Sequence, residues 1–300
     1  MSALATCDRL AQIGSLRCII CGSDNTAEGP RCFQCLSPLA LSRSVATRGT
    51  SSKFLTVLGA SGAGKTVYLG MLLDILSKGS QNLRGIPNGS FSVSVQQETV
   101  LAFQAQRFPQ KTASEADRWN WIHCELLDAA NPKACIDLVT PDLAGEAISL
   151  EVEQAGTFNT IQSVARRSSG FLVLIDSLHA RDGGREEDLC AMKLFSYVCN
   201  LHGNAATGRR ASVKLPFAIV LTKCDLCPEV EENPTKFAND NLPGLSLLCE
   251  RNLQQYKFFA TGIVGASATI MDDRGFRMRI PLHIEPRGVV EPIRWIMKQM

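Results

Sequence analysis

Gly59-Ala60-Ser61-Gly62-Ala63-Gly64-Lys65-Thr66 spells G-x-x-x-x-G-K-T, and its flanks decide how it is read. The run before it, Lys53 to Leu58, is short, apolar and β-favouring, as a buried parallel strand should be. The run after it places Tyr68, Leu69, Met71, Leu72, Leu73, Ile75 and Leu76 on a wide helical face and meets a stop at Gly79. Strand, glycine-rich turn and helix in this order make a phosphate-binding loop. Gly59, Gly62 and Gly64 admit angles and close approaches that a Cβ would forbid. The N–H groups of the loop, Ser61 and Ala63 included, can then converge with the helix N-terminus on an anion. Lys65 would reach the β- and γ-phosphate oxygens, and the Thr66 hydroxyl would take one position on Mg²⁺.

Three hundred residues with 45% hydrophobic composition suffice for one large α/β domain and a small appendage. A formal net charge of +2 gives no reason to expect a nucleic acid or an anionic membrane as partner. No apolar run reaches the roughly 18 to 20 residues that span a bilayer, and the N-terminus lacks a cationic start followed by an apolar core. The expectation is a cytoplasmic protein. Twelve cysteines scattered mostly through apolar stretches fit a reducing compartment better than a disulfide framework.

Four of those cysteines form two knuckles, Cys18-Ile19-Ile20-Cys21 and Cys32-Phe33-Gln34-Cys35, ten residues apart. Each turn points two thiolates at one centre, and four thiolates satisfy tetrahedral Zn²⁺ with no open position, so the site is structural. A segment with few large apolar side chains needs such help, since metal binding supplies on the order of 10 kcal/mol. The expected division is a zinc ribbon over residues 1–41, a linker rich in Ser, Arg and Thr over 42–52, and an α/β domain over 53–300.

Along that domain, residues 80–90 read as a loop, and Phe91, Val93 and Val95 alternate with serines like a short strand. A helix over 96–107 leads into Phe108-Pro109-Gln110-Lys111-Thr112-Ala113. Thr112 precedes the next strand candidate, 119–127. It is either an ordinary loop residue or one that bonds Mg²⁺ only while a γ-phosphate is present. The strand 134–140 runs into Asp142-Leu143-Ala144-Gly145-Glu146. There Asp142 can hold Mg²⁺ and the Gly145 amide can bond the γ-phosphate. Asp176, which ends the apolar run Phe171 to Ile175, competes for the metal. Order along the chain favours Asp142, because it follows two strand candidates and precedes a helical segment near 157–167. Strand 215–221 ends in Thr222-Lys223-Cys224-Asp225. The Asp225 carboxylate can accept from N1–H and the 2-amino group of guanine, donors adenine does not offer there, while the Lys223 stem lies along the base. A last strand over 257–264 precedes the small residues Gly265 to Ala268, and a closing helix follows Pro292. Arg274, Arg277 and Arg279 read as a solvated basic face.

With the phosphate loop, D-x-x-G and T-K-x-D in this order, residues 53–300 resemble the Ras-like and translation-factor class of P-loop GTPases. The ribbon in front, the Pro-Gln-Lys-Thr segment and Asp-Leu-Ala-Gly-Glu are most similar to the bacterial double-GTPase group. The resemblance implies a doubly wound, mostly parallel α/β sheet and a switch that binds GTP or GDP and hydrolyses GTP, acting as a regulatory component of a multi-protein system. It assigns Lys65 and Thr66 to phosphate and Mg²⁺, Thr112 to a first switch, Asp142 and Gly145 to a second, and Lys223 and Asp225 to guanine. It also implies a protein partner or a second GTPase copy. Two departures stand out. Thr222 replaces the usual asparagine, keeping one hydroxyl but losing the amide that ties the base loop to the phosphate loop, and Glu146 stands where many relatives carry glutamine. The last base-contacting pair is Thr261-Gly262 or Ser267-Ala268. Two rival readings stand beside the switch: an ATPase or kinase using Asp176 at Mg²⁺, and a scaffold that binds nucleotide without turnover and docks a partner through its ribbon.

Overall fold

The computed structural model describes residues 14–48, 52–110, 120–131, 136–143, 145–203, 212–271, 275 and 277–300. Their largest element is an eight-stranded sheet. Its strands are β3 (Lys53–Gly59), β4 (Leu83–Asn88), β5 (Trp121–Asp128), β6 (Ile136–Pro141), β7 (Gly170–Asp176), β8 (Val213–Thr222), β9 (Leu253–Met271) and β10 (Arg277–Arg287). In space they run β10-β9-β8-β7-β3-β6-β5-β4. The central pairs β6·β3, β3·β7, β7·β8 and β8·β9 are parallel, and the strands beyond them, β5 with β4 on one side and β10 on the other, are antiparallel.

The central strands are apolar end to end because both faces are covered. Phe171, Val173 and Ile175 of β7 face one helical layer, and Leu172 and Leu174 face the other. The first layer contains α4 (Gly145–Glu153), α5 (Asn159–Arg167), α7 (Arg185–His202) and α10 (Pro243–Asn252). The second contains α2 (Lys65–Lys78), α3 (Ser90–Gln104) and α11 (Glu291–Gln299). This is the doubly wound architecture expected. Among the described residues no helix is long and apolar enough to cross a membrane.

Three local expectations are corrected. Residues 83–88 form the edge strand β4, paired with β5 from Leu83↔Asp128 to Asn88↔His123, where a loop was expected. Leu83 and Gly85 point inward, and Pro87 is tolerated because an edge strand need not donate on its outer side. The Phe91-Val93-Val95 alternation belongs to a helix, not a strand. The buried face of α3 is Ser92, Val95, Thr99 and Phe103, a helical spacing the alternating pattern concealed, and Val93 is exposed. Residues 42–48, read as linker, belong to helix α1 (Leu39–Arg48), which buries Leu39, Leu41, Ser42 and Val45.

Helix α1 joins the cysteine knuckles to the sheet. With the hairpin of β1 (Ser15–Arg17) and β2 (Asp24–Thr26), it forms one core that includes Cys18, Cys32 and Cys35 together with Phe54 of β3, Trp121 of β5, Val139 of β6 and Val164 of α5. Polar contacts reinforce it. Thr160 donates its hydroxyl to the Cys35 carbonyl at 2.9 Å, and Arg167 donates Nε to the Ile19 carbonyl at 2.9 Å. At the end of α1, Arg48 spans both carboxylate oxygens of fully buried Asp137 at 2.9 Å and reaches Glu125 at 3.1 Å. His123 meets the same Asp137 at 2.7 Å.

Candidate functional site

Parallel strands place their C-terminal ends together, where ligands of open α/β sheets bind. The register sets Asp176, Thr222 and Thr261 side by side at that edge, next to the loop that leaves β3. A cleft of about 480 Å³ opens there. Ser61, Gly62, Gly64, Lys65 and Thr66 line one end, Thr222, Lys223 and Asp225 the other, and Gly145 and Glu146 lie along its side. Three segments, the outer two about 160 residues apart in sequence, thus meet in one cavity. Thr112 lies outside the described residues. The segment leading to it does reach the cleft, whose wall includes Phe108, Pro109 and Gln110. Phe108 is anchored edge-on against Phe103 of α3, ring centroids 6.0 Å apart.

At the phosphate-loop end, Gly64 takes φ 79° immediately before α2, a left-handed turn that aims the first helical N–H groups into the cleft. The Lys65 ammonium donates to the carbonyls of Gly59 (2.8 Å) and Ala60 (3.0 Å), so its chain arches over the loop. Burial lowers its pKa to about 8, while the nearby carboxylates of Asp142 and Glu146 act in the opposite sense. Gly145 packs so closely on the phosphate loop that a Cβ would come within 2.0 Å of the Ser61 nitrogen. Glu146, in the first turn of α4, accepts a 2.8 Å hydrogen bond from the Ser61 hydroxyl. Asp142 is buried, and its N–H donates to the Asn120 carbonyl at 2.7 Å, joining the exit of β6 to the entry of β5.

At the opposite end, the hydroxyl that Thr222 keeps is in use. It reaches the Ala63 carbonyl at 3.0 Å and the Ile175 carbonyl at 3.1 Å, so a side chain still ties this turn to the phosphate loop. The hydroxyl spans the gap because β7 and β8 are in register at Asp176↔Thr222, directly beside the loop. Lys223 adopts φ 59°, a left-handed conformation costing about 1–2 kcal/mol for a non-glycine residue, and opens a short 3₁₀ turn (Cys224–Leu226). Its ammonium pairs with Asp176. Asp176 also caps the short helix α6 (Ser177–Asp182), Oδ1 accepting from the N–H groups of Leu178 (3.0 Å) and His179 (3.2 Å). The competitor for the metal is therefore engaged in a helix cap and in holding Lys223.

Asp225 is almost wholly enclosed, and burial raises its carboxyl pKa. Of the two candidate pairs for the last base contact, Thr261-Gly262 abuts it: Thr261 lines the cleft, and a Cβ on Gly262 would lie 3.4 Å from the Asp225 nitrogen. Ser267 and Ala268 lie further along β9, opposite β10. Arg279, read as part of a solvated basic face, instead lines the cleft and faces Asp225, Nη2 to Oδ2 3.6 Å. The period-2 alternation of Arg277 and Arg279 with Met278 and Ile280 was the signal for a strand there.

The four knuckle cysteines also come together. Their sulfurs lie within 4.8 Å of one another, with Cys18–Cys35 at 3.6 Å and Cys21–Cys32 at 3.5 Å. A tetrahedron with Zn–S bonds of about 2.3 Å has edges of roughly 3.8 Å, so the donor set and spacing fit one zinc ion.

A sequence comparison with curated proteins finds no match. Among solved structures the chain is similar to the Arl6 BBS3 small GTPase of Trypanosoma brucei, which holds a GppNp nucleotide analogue, at 12% identity and TM-score 0.37, over 83% of this chain and 96% of that one. It is also similar to the GTP-bound Ski7 GTPase-like domain of S. cerevisiae, at 16% identity and TM-score 0.42, over 73% of this chain and 44% of that one. A third is the nucleolar GTP-binding protein 1 of Plasmodium falciparum, described as putative, at 14% identity and TM-score 0.40, over 83% and 86%. The chain matches the Double-GTPase 2 family from β3 into β9, residues 53–259, and belongs to that family of P-loop GTPases.

Proposed function

We propose that this protein is a nucleotide-dependent switch that binds GTP and GDP and hydrolyses GTP slowly by itself. The observation that carries the reading is the convergence of the phosphate loop and the Asp225 turn on one cleft, with Gly145 and Glu146 between them. The loop amides and Lys65 would hold the β- and γ-phosphates in line for attack by water, and Asp225 would accept the two guanine donors. Thr66 and Asp142, hard oxygen donors beside Lys65, suit Mg²⁺, which would neutralise charge on the phosphoryl oxygens when bound. Water attacks the γ-phosphorus, the bond to the β-bridging oxygen breaks, and GDP and phosphate leave. Thr112 is proposed to contribute to the first switch, and Cys18, Cys21, Cys32 and Cys35 to hold zinc.

Slow unassisted turnover follows from charge. Glu146 can accept a hydrogen bond from the attacking water, but its negative charge sits near a γ-phosphate whose charge must be neutralised. Among the described residues lining the cleft the one arginine is Arg279, at the base end. A partner or second copy supplying an arginine would accelerate the reaction about 10³- to 10⁵-fold, as such fingers do.

Chromatography of the nucleotide released from purified protein tests the reading, with GTP or GDP expected and adenine nucleotide counting against it. Lys65→Ala is expected to abolish binding while the fold persists. Phosphate release in single turnover, followed over a range of protein concentrations, separates a slow switch from a scaffold that never hydrolyses. Fast hydrolysis in dilute protein, unaffected by Glu146→Ala, would refute the slow switch.

A further inference from the structure

We propose that Arg279 is a positioning residue of the base site, carried in by β10 to hold the Asp225 carboxylate as a double acceptor for guanine. The inference rests on the GTP reading above and adds to it a residue outside the contiguous motifs. Arg279 lies on β10 opposite Thr269 of β9, and it is fixed before it reaches Asp225. Its Nε and Nη2 both donate to the Ser267 hydroxyl, at 2.8 and 2.6 Å, which orients the guanidinium plane. Nη2 then stands 3.6 Å from Asp225 Oδ2, with the carboxylate 10% exposed and the guanidinium chain 34% exposed. A lysine could supply the charge there, but not a fork that grips Ser267 while facing the carboxylate.

Asp225 has need of such a neighbour. Burial favours its neutral form, and Glu231 on α8 (Pro228–Glu232) adds a like charge. Arg279 and Arg287 of β10 oppose both, but Arg287 is already engaged with Glu231 at 2.9 Å. The Cys224 thiol, next to Asp225 in sequence, donates to Glu231 at 3.3 Å and is held neutral by burial. Lys223 is paired with Asp176. A protonated Asp225 would present a donor to one of guanine's two donors, so the base reader works only while ionised.

The test is GDP binding by wild type, Arg279→Ala, Arg279→Lys and Asp225→Asn, and by the double variant Arg279→Ala with Asp225→Asn, from pH 5.5 to 8. Inosine diphosphate, which lacks the 2-amino group, serves as the second probe. Arg279→Ala is expected to weaken GDP about tenfold at pH 7, and affinity should fall off at a higher pH than in wild type as Asp225 takes its proton sooner. Arg279→Lys should restore the pH profile in part. In the Asp225→Asn background the same substitution should cost less than about twofold, because the two residues act as one unit. The penalty on inosine diphosphate should be smaller than on GDP. The proposal is overturned if Arg279→Ala binds GDP like wild type at every pH, or loses as much affinity in the Asp225→Asn background as in wild type, the sign of a general distortion. Wild type that binds no GDP would overturn the switch reading and this inference together, whereas wild-type binding untouched by Arg279→Ala overturns this inference alone.

Discussion

Thr222 illustrates how one hydroxyl can do the work of an amide when strand register brings its acceptor close. Its one proton, shared between the carbonyls of Ala63 in the phosphate loop and Ile175 in β7, holds the base turn against the loop, so the two halves of the cleft are kept at a set distance. Thr222→Val keeps the branched shape and removes the donor. A hydrogen bond of this kind is worth about 1 kcal/mol net, so nucleotide affinity measured by titration should fall roughly fivefold, and Thr222→Ser should recover most of it. Unchanged affinity in the valine variant would show that the turn is held by the backbone alone. Ser61 poses the complementary case. Its hydroxyl donates to Glu146 and offsets part of the charge proposed to slow hydrolysis, while the carboxylate keeps acceptor sites for the attacking water, so Ser61→Ala should lower single-turnover hydrolysis by about three- to tenfold, the equivalent of one exposed hydrogen bond. That loss should vanish in Glu146→Ala; a loss that survives there would dissociate Ser61 from Glu146.

Among the elements, α1 is the one whose role differs most from its composition. A serine- and arginine-rich stretch looks like a linker, yet Leu41 and Val45 pack into the core shared with β3, β5 and β6, and Arg48 ends the helix on Asp137. The pair of β5 and β6 is thus gripped from the side of the cysteine knuckles, while its entry and exit are joined by the Asp142–Asn120 bond, next to Leu143, which lines the cleft. Burial would raise the Asp137 pKa, but the bonds from His123 and Arg48 outweigh it and hold the carboxyl below its usual range. A carboxylate depressed in the folded state contributes stability that is present above its unfolded pKa, about 3.9, and is lost as pH falls through the lower folded value. Arg48→Ala leaves a buried, half-compensated charge and should cost about 3–5 kcal/mol in denaturant unfolding at pH 7. With the folded pKa raised, the cost should shrink as pH drops toward 4. An equal loss at pH 4 and pH 7 would mean that Arg48 acts by packing and not by charge.

Over the whole molecule, the cysteine knuckles and the sheet share one buried cluster, so they are expected to unfold together. If the four cysteines hold zinc, metal analysis should find about one ion per chain, and Cys18→Ser with Cys21→Ser should remove it. Chelation should then lower the midpoint of the main calorimetric transition by several degrees or more, because metal binding energy is folding energy here. A separate low-temperature transition, with the main one unmoved, would restore the picture of two modules on a linker. The parts of this protein legible in the sequence are those whose geometry is local. A strand, a glycine turn and a helix make a phosphate loop wherever they occur in that order, two C-x-x-C turns fix the aim of four thiols, and a run of apolar residues ending in T-K-x-D marks a strand end. The remaining features depend on partners far along the chain. Ser61 meets Glu146 across 85 residues and Arg48 meets Asp137 across 89, and Arg279 reaches Asp225 only because β10 folds back on β9. Sheet order and register decide such meetings, since a shift of one residue would turn each side chain to the opposite face, and no single stretch of sequence carries that information.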